Sequence, residues 1–265
     1  MTIVVKIGGH AQENAAQRRS IARQVARLSR DGHRVVVVHG GGKLLTETLA
    51  RLGIATEFHQ GLRVTDAATR DVALMVLAGI VNKQWVAEIQ KQGQPALGLC
   101  GGDARMVEAR KLELRSNGSR KDLGYVGRPR EVKTAILEMA LAGGLVPVVA
   151  SVALKGTREY YNINADDLAA AIAAALKADR LFYLTQSGGV WDAERNLLPV
   201  VKRSAIPNLI RRGIVRDGMI PKLRSCARTL RQGVREIDIL SPAVPKALLN
   251  AVQGGRRAGT RIVNL

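Results

Sequence analysis

Short apolar runs alternate with amphipathic stretches along almost the whole chain. Residues 3–7 and 34–39 carry β-branched side chains at consecutive positions, the pattern of strands covered on both faces. Between them Ile21, Val25 and Leu28 recur at helical spacing, with Arg18, Arg19, Arg23, Gln24, Arg27 and Arg30 at other positions. Gly32 stands where such a helix should stop. This strand–helix–strand unit predicts a right-handed crossover between parallel strands. Farther along, helices are predicted over 43–52, 131–142, 166–178, 204–212, 222–232 and 244–252. One long helix is predicted over 69–92, where Leu74, Leu77, Val81, Trp85 and Ile89 step by three or four. Strands are predicted over 95–100, 145–151, 181–185, 236–240 and 260–263, and residues 101–130 read as short strands and turns, an irregular insertion. Regular alternation of this kind predicts the α/β class, a three-layer αβα sandwich around a mainly parallel open central sheet.

Composition narrows the picture. The 265 residues are 46% hydrophobic and 24% charged, which suits a packed core, and only 3% aromatic, so that core must be aliphatic. No consecutive apolar run approaches the ~18 residues of a membrane helix, the longest being 168–176. The first residues enter a strand pattern directly, without a basic segment followed by an apolar one. Cys100 and Cys226 fit no metal spacing, and two thiols in a chain this size suit a reducing compartment. The expectation is a cytoplasmic protein with no membrane partner. Against 22 acidic residues stand 41 Lys and Arg, a net charge of +19. These cations are scattered, and their densest stretch, 110–130, holds a single aromatic, Tyr125. Base-stacking platforms need several aromatics beside the cations, so a solvated basic surface is expected rather than a nucleic-acid partner.

Two glycine clusters follow adjacent predicted strands: Gly8-Gly9 after Lys6, and Gly40-Gly41-Gly42 after His39. Glycine lets backbone N–H groups approach an anion closely, and the helix that follows adds a favourable dipole. The ordinary alternative is a pair of tight turns. A lysine inside an apolar strand beside one cluster favours phosphate binding. Neither cluster is a P-loop, and no Gly-x-Gly-x-x-Gly occurs here. Asn162-Ile163-Asn164-Ala165-Asp166 leads into a helix with polar residues at alternate positions, more than a single cap requires. His10 and His39 read as turn and packing residues.

Taken in order, Val4-Val5-Lys6-Ile7-Gly8-Gly9, His39-Gly40-Gly41-Gly42, Gly61-Leu62-Arg63-Val64-Thr65-Asp66, Asn162-Ile163-Asn164-Ala165-Asp166 and Asp217-Gly218-Met219-Ile220-Pro221-Lys222 resemble the acetylglutamate kinase branch of the amino-acid kinase family. The resemblance spans essentially the whole chain. It implies transfer of the ATP γ-phosphoryl group to the side-chain carboxylate of N-acetyl-L-glutamate, in arginine biosynthesis. A carboxylate nucleophile is already ionised at neutral pH and needs no general base, so charge and positioning must carry the catalysis. The resemblance makes Lys6 and Lys222 the catalytic cations and Asp166 the residue that holds them. Gly40, Gly41, Arg63 and Asn162 would bind the acetylated amino acid. Gly8, Gly9, Gln186, Gly188, Gly189, Ile214, Asp217 and Gly218 would face ATP. Mg²⁺ would arrive on the nucleotide, with no metal ligands of the protein's own. Residues 1–178 are expected to form an amino-acid and dimerisation lobe, and 179–265 an ATP lobe.

Two departures from the family pattern stand out. Leu184-Thr185-Gln186 has glutamine where relatives usually carry aspartate, and the chain begins at its first strand. The second leaves no room for the extra N-terminal helix of arginine-inhibited hexamers, so a homodimer insensitive to arginine is expected. Two alternatives remain at this point: a kinase for glutamate or aminoadipate borne on an acidic carrier protein, and a non-catalytic ligand-binding member of the same fold.

Overall fold

The computed structural model describes residues 1–116, 119–215, 219–255 and 258–264. Among them the strands are β1 (Thr2–Ile7), β2 (Arg34–His39), β3 (Phe58–His59), β4 (Leu62–Arg63), β5 (Ala96–Cys100), β6 (Val107–Ser116), β7 (Ser119–Val132), β8 (Val146–Ala150), β9 (Val152–Lys155), β10 (Glu159–Ile163), β11 (Arg180–Leu184), β12 (Val200–Lys202), β13 (Glu236–Leu240) and β14 (Gly259–Val263). Eight of them form one sheet in the order β12-β14-β13-β11-β1-β2-β8-β5. The six strands from β13 to β5 run parallel, whereas β14 lies antiparallel to β13 and parallel to β12.

Side chains of a strand point alternately to opposite faces, and both faces of this sheet are covered. Val4, Val36, Val38, Leu181, Tyr183 and Ile239 pack with the helices Ala165–Ala175 and Met219–Arg231. Ile3, Val5, Ile7, Val35, Val37 and Phe182 pack with Ala15–Arg30 and Gly42–Arg51 on the other side. The expected three layers and aliphatic core are both present. Asn14 starts the helix Ala15–Arg30, its side-chain oxygen accepting from the N–H groups of Ala16 and Gln17.

Two predicted elements take a different form. The helix expected over 69–92 runs through Ala67–Ala73, a π-helical stretch Leu74–Val81, and Asn82–Gln90. The wider turn changes which residues face inward, and Asn82 sits fully buried against the sheet. Over its 24 residues this helix is long and apolar enough to cross a membrane by composition alone, a length that counting consecutive apolar residues did not reveal. Here it packs Val76, Leu77, Val81, Trp85 and Ile89 into the core.

The region read as an irregular insertion is regular. β6 and β7 pair as a long hairpin and close a four-stranded barrel with β9 and β10, in the order β10-β7-β6-β9. Leu112, Leu123 and Val126 give the barrel a small core of its own. Charged residues on its outward face masked this pattern in the sequence. β7 also extends to Val132, so the next helix begins at Ala135 rather than at 131.

Candidate active site

β1, β2, β8 and β11 end along one edge of the sheet, where ligands of open α/β proteins bind. Lys6 is the penultimate residue of β1 and shares the face of Val4, toward the helix Ala165–Ala175. Asp166 lies in the first turn of that helix, which Asn164 caps by accepting from the Asp166 N–H at 2.8 Å. Lys222 lies in the first turns of the helix Met219–Arg231 on the same side of the sheet. Pleat and helix starts together bring the three side chains to one point. Lys6 Nζ is 2.7 Å from Asp166 Oδ1, and Lys222 Nζ donates to Asp166 Oδ2.

Burial alone would raise the Asp166 carboxyl, but the charges of Lys6 and Lys222 outweigh it and hold it down to about 2. The carboxylate therefore stays ionised and fixes two ammonium groups side by side. Two cations against one anion leave the point electropositive. Tyr183 is the neighbour of Lys6 in β11, with its ring 5.0 Å from Lys222 Nζ and its hydroxyl donating to the Asp166 backbone carbonyl at 3.4 Å. Burial keeps this phenol neutral. The sequence reading missed Tyr183, because only the pairing of β1 with β11 places it here.

Lys6 and Asp166 line a cleft of about 510 Å³ together with Gly8, Gly9, Gly40, Gly41, Lys43, Asn164, Thr185 and Gln186, and Lys222 reaches it through its bond to Asp166. Both glycine turns are packed too closely for a side chain at their tightest points. A Cβ on Gly8 would lie 2.7 Å from the Leu184 carbonyl oxygen, and one on Gly41 would lie 2.7 Å from Leu77 Cδ2. A Cβ on Gly9 would meet nothing within 4 Å. The helix Gly42–Arg51 begins at the second turn without a side-chain cap, so its first N–H groups are available to an anion.

His39 and Asn82 brace that second turn from beneath. His39 is fully buried, donates from Nδ1 to the Gly40 carbonyl at 2.9 Å, and accepts at Nε2 from Asn82 at 3.1 Å. Asn82 also donates to the Val148 carbonyl at 2.8 Å. Burial pushes the imidazole down to about 4 despite its bond to Gly40, so it is neutral. Packing is the role expected of His39, and the ring additionally fixes one peptide of the cleft. The sequence reading did not single out Asn82.

Arg63 is 6% exposed and lies behind the second turn rather than on the cleft lining. It donates to the Gly42 carbonyl at 3.1 Å and to Thr46 Oγ1 at 2.7 Å, and its guanidinium lies 4.6 Å from the centre of the Phe58 ring. Burial lowers its pKa, although a guanidinium keeps its charge throughout the physiological range. Among the described residues it pairs with no carboxylate. Asn162 is half-buried on β10, two residues before the Asn164 cap and on the same side of the strand. Gln186 is exposed at the cleft rim; Gly188 and Gly189 are buried behind it, packed on Ser241 and Thr260. Ile214 follows the helix Ile206–Arg211, bonded through its N–H to Leu209, and no described contact brings it to the cleft. Asp217 and Gly218 lie outside the described residues.

Residues 1–241 match the amino acid kinase family. The chain belongs to that family. It is 47% identical over 263 residues to a Koribacter versatilis acetylglutamate kinase, covering 99% of each protein. It is 43% identical to an acetylglutamate kinase of Methylobacterium nodulans, covering 98% of this chain and 88% of the other. Among solved structures, N-acetylglutamate synthase from Neisseria gonorrhoeae, complexed with coenzyme A and N-acetyl-glutamate, superposes with a TM-score of 0.86 at 25% identity. The match covers all of this chain and 59% of that longer one. Within the amino acid kinase family, then, the paired lysines and glycine turns occupy the edge of a sheet whose architecture is shared well beyond the level of sequence identity.

Proposed function

We propose that this protein phosphorylates the side-chain carboxylate of N-acetyl-L-glutamate at the expense of ATP, giving N-acetyl-L-glutamyl 5-phosphate for arginine biosynthesis. The observation that carries the reading is the convergence of Lys6 and Lys222 on Asp166 between two glycine turns. The attacking carboxylate and the transferring phosphoryl group are both anionic, so the reaction needs fixed positive charge more than it needs a base. Lys6 and Lys222 supply that charge, and Asp166 keeps them in place before substrate arrives. Backbone N–H groups of Gly9, Gly40 and Gly41 contact phosphoryl and acceptor oxygens, while the Gly8 N–H ties its turn to the Leu184 carbonyl at 3.0 Å. Asn162 receives the acceptor, and Arg63 supports it from behind the second glycine turn through its bonds to the Gly42 carbonyl and Thr46.

Residues 1–178 form the acceptor lobe in this reading. Residues 179–265 hold ATP, through Gln186, Gly188, Gly189, Ile214, Asp217 and Gly218. No group of three His, Cys, Asp or Glu side chains that could hold a metal ion occurs among the described residues. Mg²⁺ enters with the nucleotide in this reading, where it shields phosphate charge. Gln186 removes a negative charge from the cleft rim. We assign the enzyme to the cytoplasm as a homodimer; Met75 and Ile80, 61% and 49% exposed on one helix, offer an apolar surface for the second copy.

Acyl phosphate formed from MgATP and trapped with hydroxylamine tests the reading. N-acetyl-L-glutamate should be turned over, with glutamate, aspartate and N-acetyl-aminoadipate far behind. Silence with all four acceptors from folded protein would overturn it.

A further inference from the structure

A second electropositive site lies outside the cleft. β6 and β7 place Arg110 directly opposite Arg128, and Arg130, the extra residue where the register shifts between Glu108 and Ala109, lines the same groove. Like charges in cross-strand register repel and destabilise the pair. Among the described residues, none of Arg110, Arg128 and Arg130 makes an ion pair; Asp167 acts on Arg128 only at longer range. Facing them across a groove of about 310 Å³ is Arg228 of the helix Met219–Arg231. The floor is a run of alanines from the helix Ala165–Ala175, small enough to leave the groove open. Asp167 stands at its head, with Arg228 Nη2 4.0 Å from Oδ1.

The groove is therefore lined by four guanidinium groups and only two carboxylates, Asp167 and Glu131. Asp167 offsets only part of that charge, through its 4.0 Å contact with Arg228. Burial raises its carboxyl, with Arg128 and Arg228 opposing that effect only in part. Arginine forks on two separate elements, over a small apolar floor, match the oxygens of a compact polyanion. The groove has no aromatic lining on which a base could stack. We infer that this groove binds a small polyvalent anion of the phosphate or polycarboxylate type, held between Arg128 of the barrel and Arg228 of the helix, in competition with Asp167. The basic stretch 110–130 is then in part a ligand surface, beyond the solvated face that its sequence suggests. The site stands apart from the phosphoryl-transfer reading, since none of its groove-lining residues lines the cleft. It does share two helices with it: Asp166 immediately precedes Asp167, and Lys222 and Arg228 lie on one helix.

Calorimetric titration of the full chain at low ionic strength, with inorganic pyrophosphate and separately with citrate, tests the site. Lys6→Met protein is titrated in parallel to separate any binding in the cleft. Arg128→Gln and Arg228→Gln should each weaken the groove event at least fivefold. Asp167→Asn, which removes the internal competitor, should strengthen it severalfold, and Lys6→Met should leave it intact. Tighter pyrophosphate binding would identify phosphate chemistry, and tighter citrate binding polycarboxylate chemistry. All three groove substitutions are at polar positions on the groove lining, and circular dichroism will verify that each variant is folded. Affinity for both anions unchanged in Arg128→Gln and Arg228→Gln, or lost in Lys6→Met, would overturn the inference.

Discussion

Asp166 does its work without touching the reacting atoms in the proposed reaction. It holds two ammonium groups at a spacing that they would not keep alone, because like charges so close repel. Lys6→Met and Lys222→Met should each lower kcat by roughly two orders of magnitude, with smaller effects on KM, as steady-state kinetics will register. Asp166→Asn should also depress kcat, because both lysines survive but lose their anchor. The carboxyl titrates lower in the folded chain than in the unfolded one. Its stabilising contribution is therefore complete above about pH 4 and is lost as the pH falls toward 2. His39 obeys the same sign in a higher window. Its folded value of about 4 lies below the ordinary 6.5, so stability is full above 6.5 and drains as the pH drops through 4. His39→Gln should flatten the fall in Tm between pH 6.5 and 4.5, measured by scanning calorimetry. Lys6 was legible in the sequence because a lysine inside a run of Val and Ile has no ordinary explanation. Tyr183 was not, since its place depends on a strand pairing 177 residues apart.

Among elements, the parallel strands and their flanking helices announced themselves through unbroken apolar runs and helical spacing. The barrel did not. The β6 sequence VEARKLELRS places a charge at almost every second position, and its apolar residues find partners only in the folded barrel, Val107 and Ala109 in one core with Ala153, Tyr161 and Ile163, and Leu112 with Leu123 and Val126. The π-helical stretch was equally hidden, because its composition is that of any apolar helix. The two glycine turns behave differently from each other. Gly41→Ala pushes a methyl group into Leu77 and should cost about 1–3 kcal/mol, a fall in Tm of several degrees. Gly9→Ala meets open space and should melt like the parent protein while losing turnover, because Gly9 lines the cleft and a methyl group there narrows it. Thermal melts and hydroxylamine assays on the pair will separate packing from chemistry.

For the whole molecule, the aliphatic three-layer design follows from composition, whereas the partition of charge does not. Residues scattered in sequence become a groove only when the barrel and the helix Met219–Arg231 face each other. The proposed dimer is a property of this scale as well. Met75 and Ile80 are five residues apart in a π-helical stretch, the spacing that stacks side chains on one side of such a turn. Met75→Lys combined with Ile80→Lys should convert a dimer to a monomer in sedimentation equilibrium, with the melt little changed.

The position of β1 between β2 and β11 also shapes how the chain is made. On a ribosome β1 finds β2 within some 30 further residues, yet its other neighbour is not complete until residue 184. Until then the centre of the finished sheet is a bare edge of Val and Ile, the kind of edge on which strands of other chains can pair. Slowing translation before residue 180 should therefore raise aggregation, and a holdase covering the first strand should suppress it.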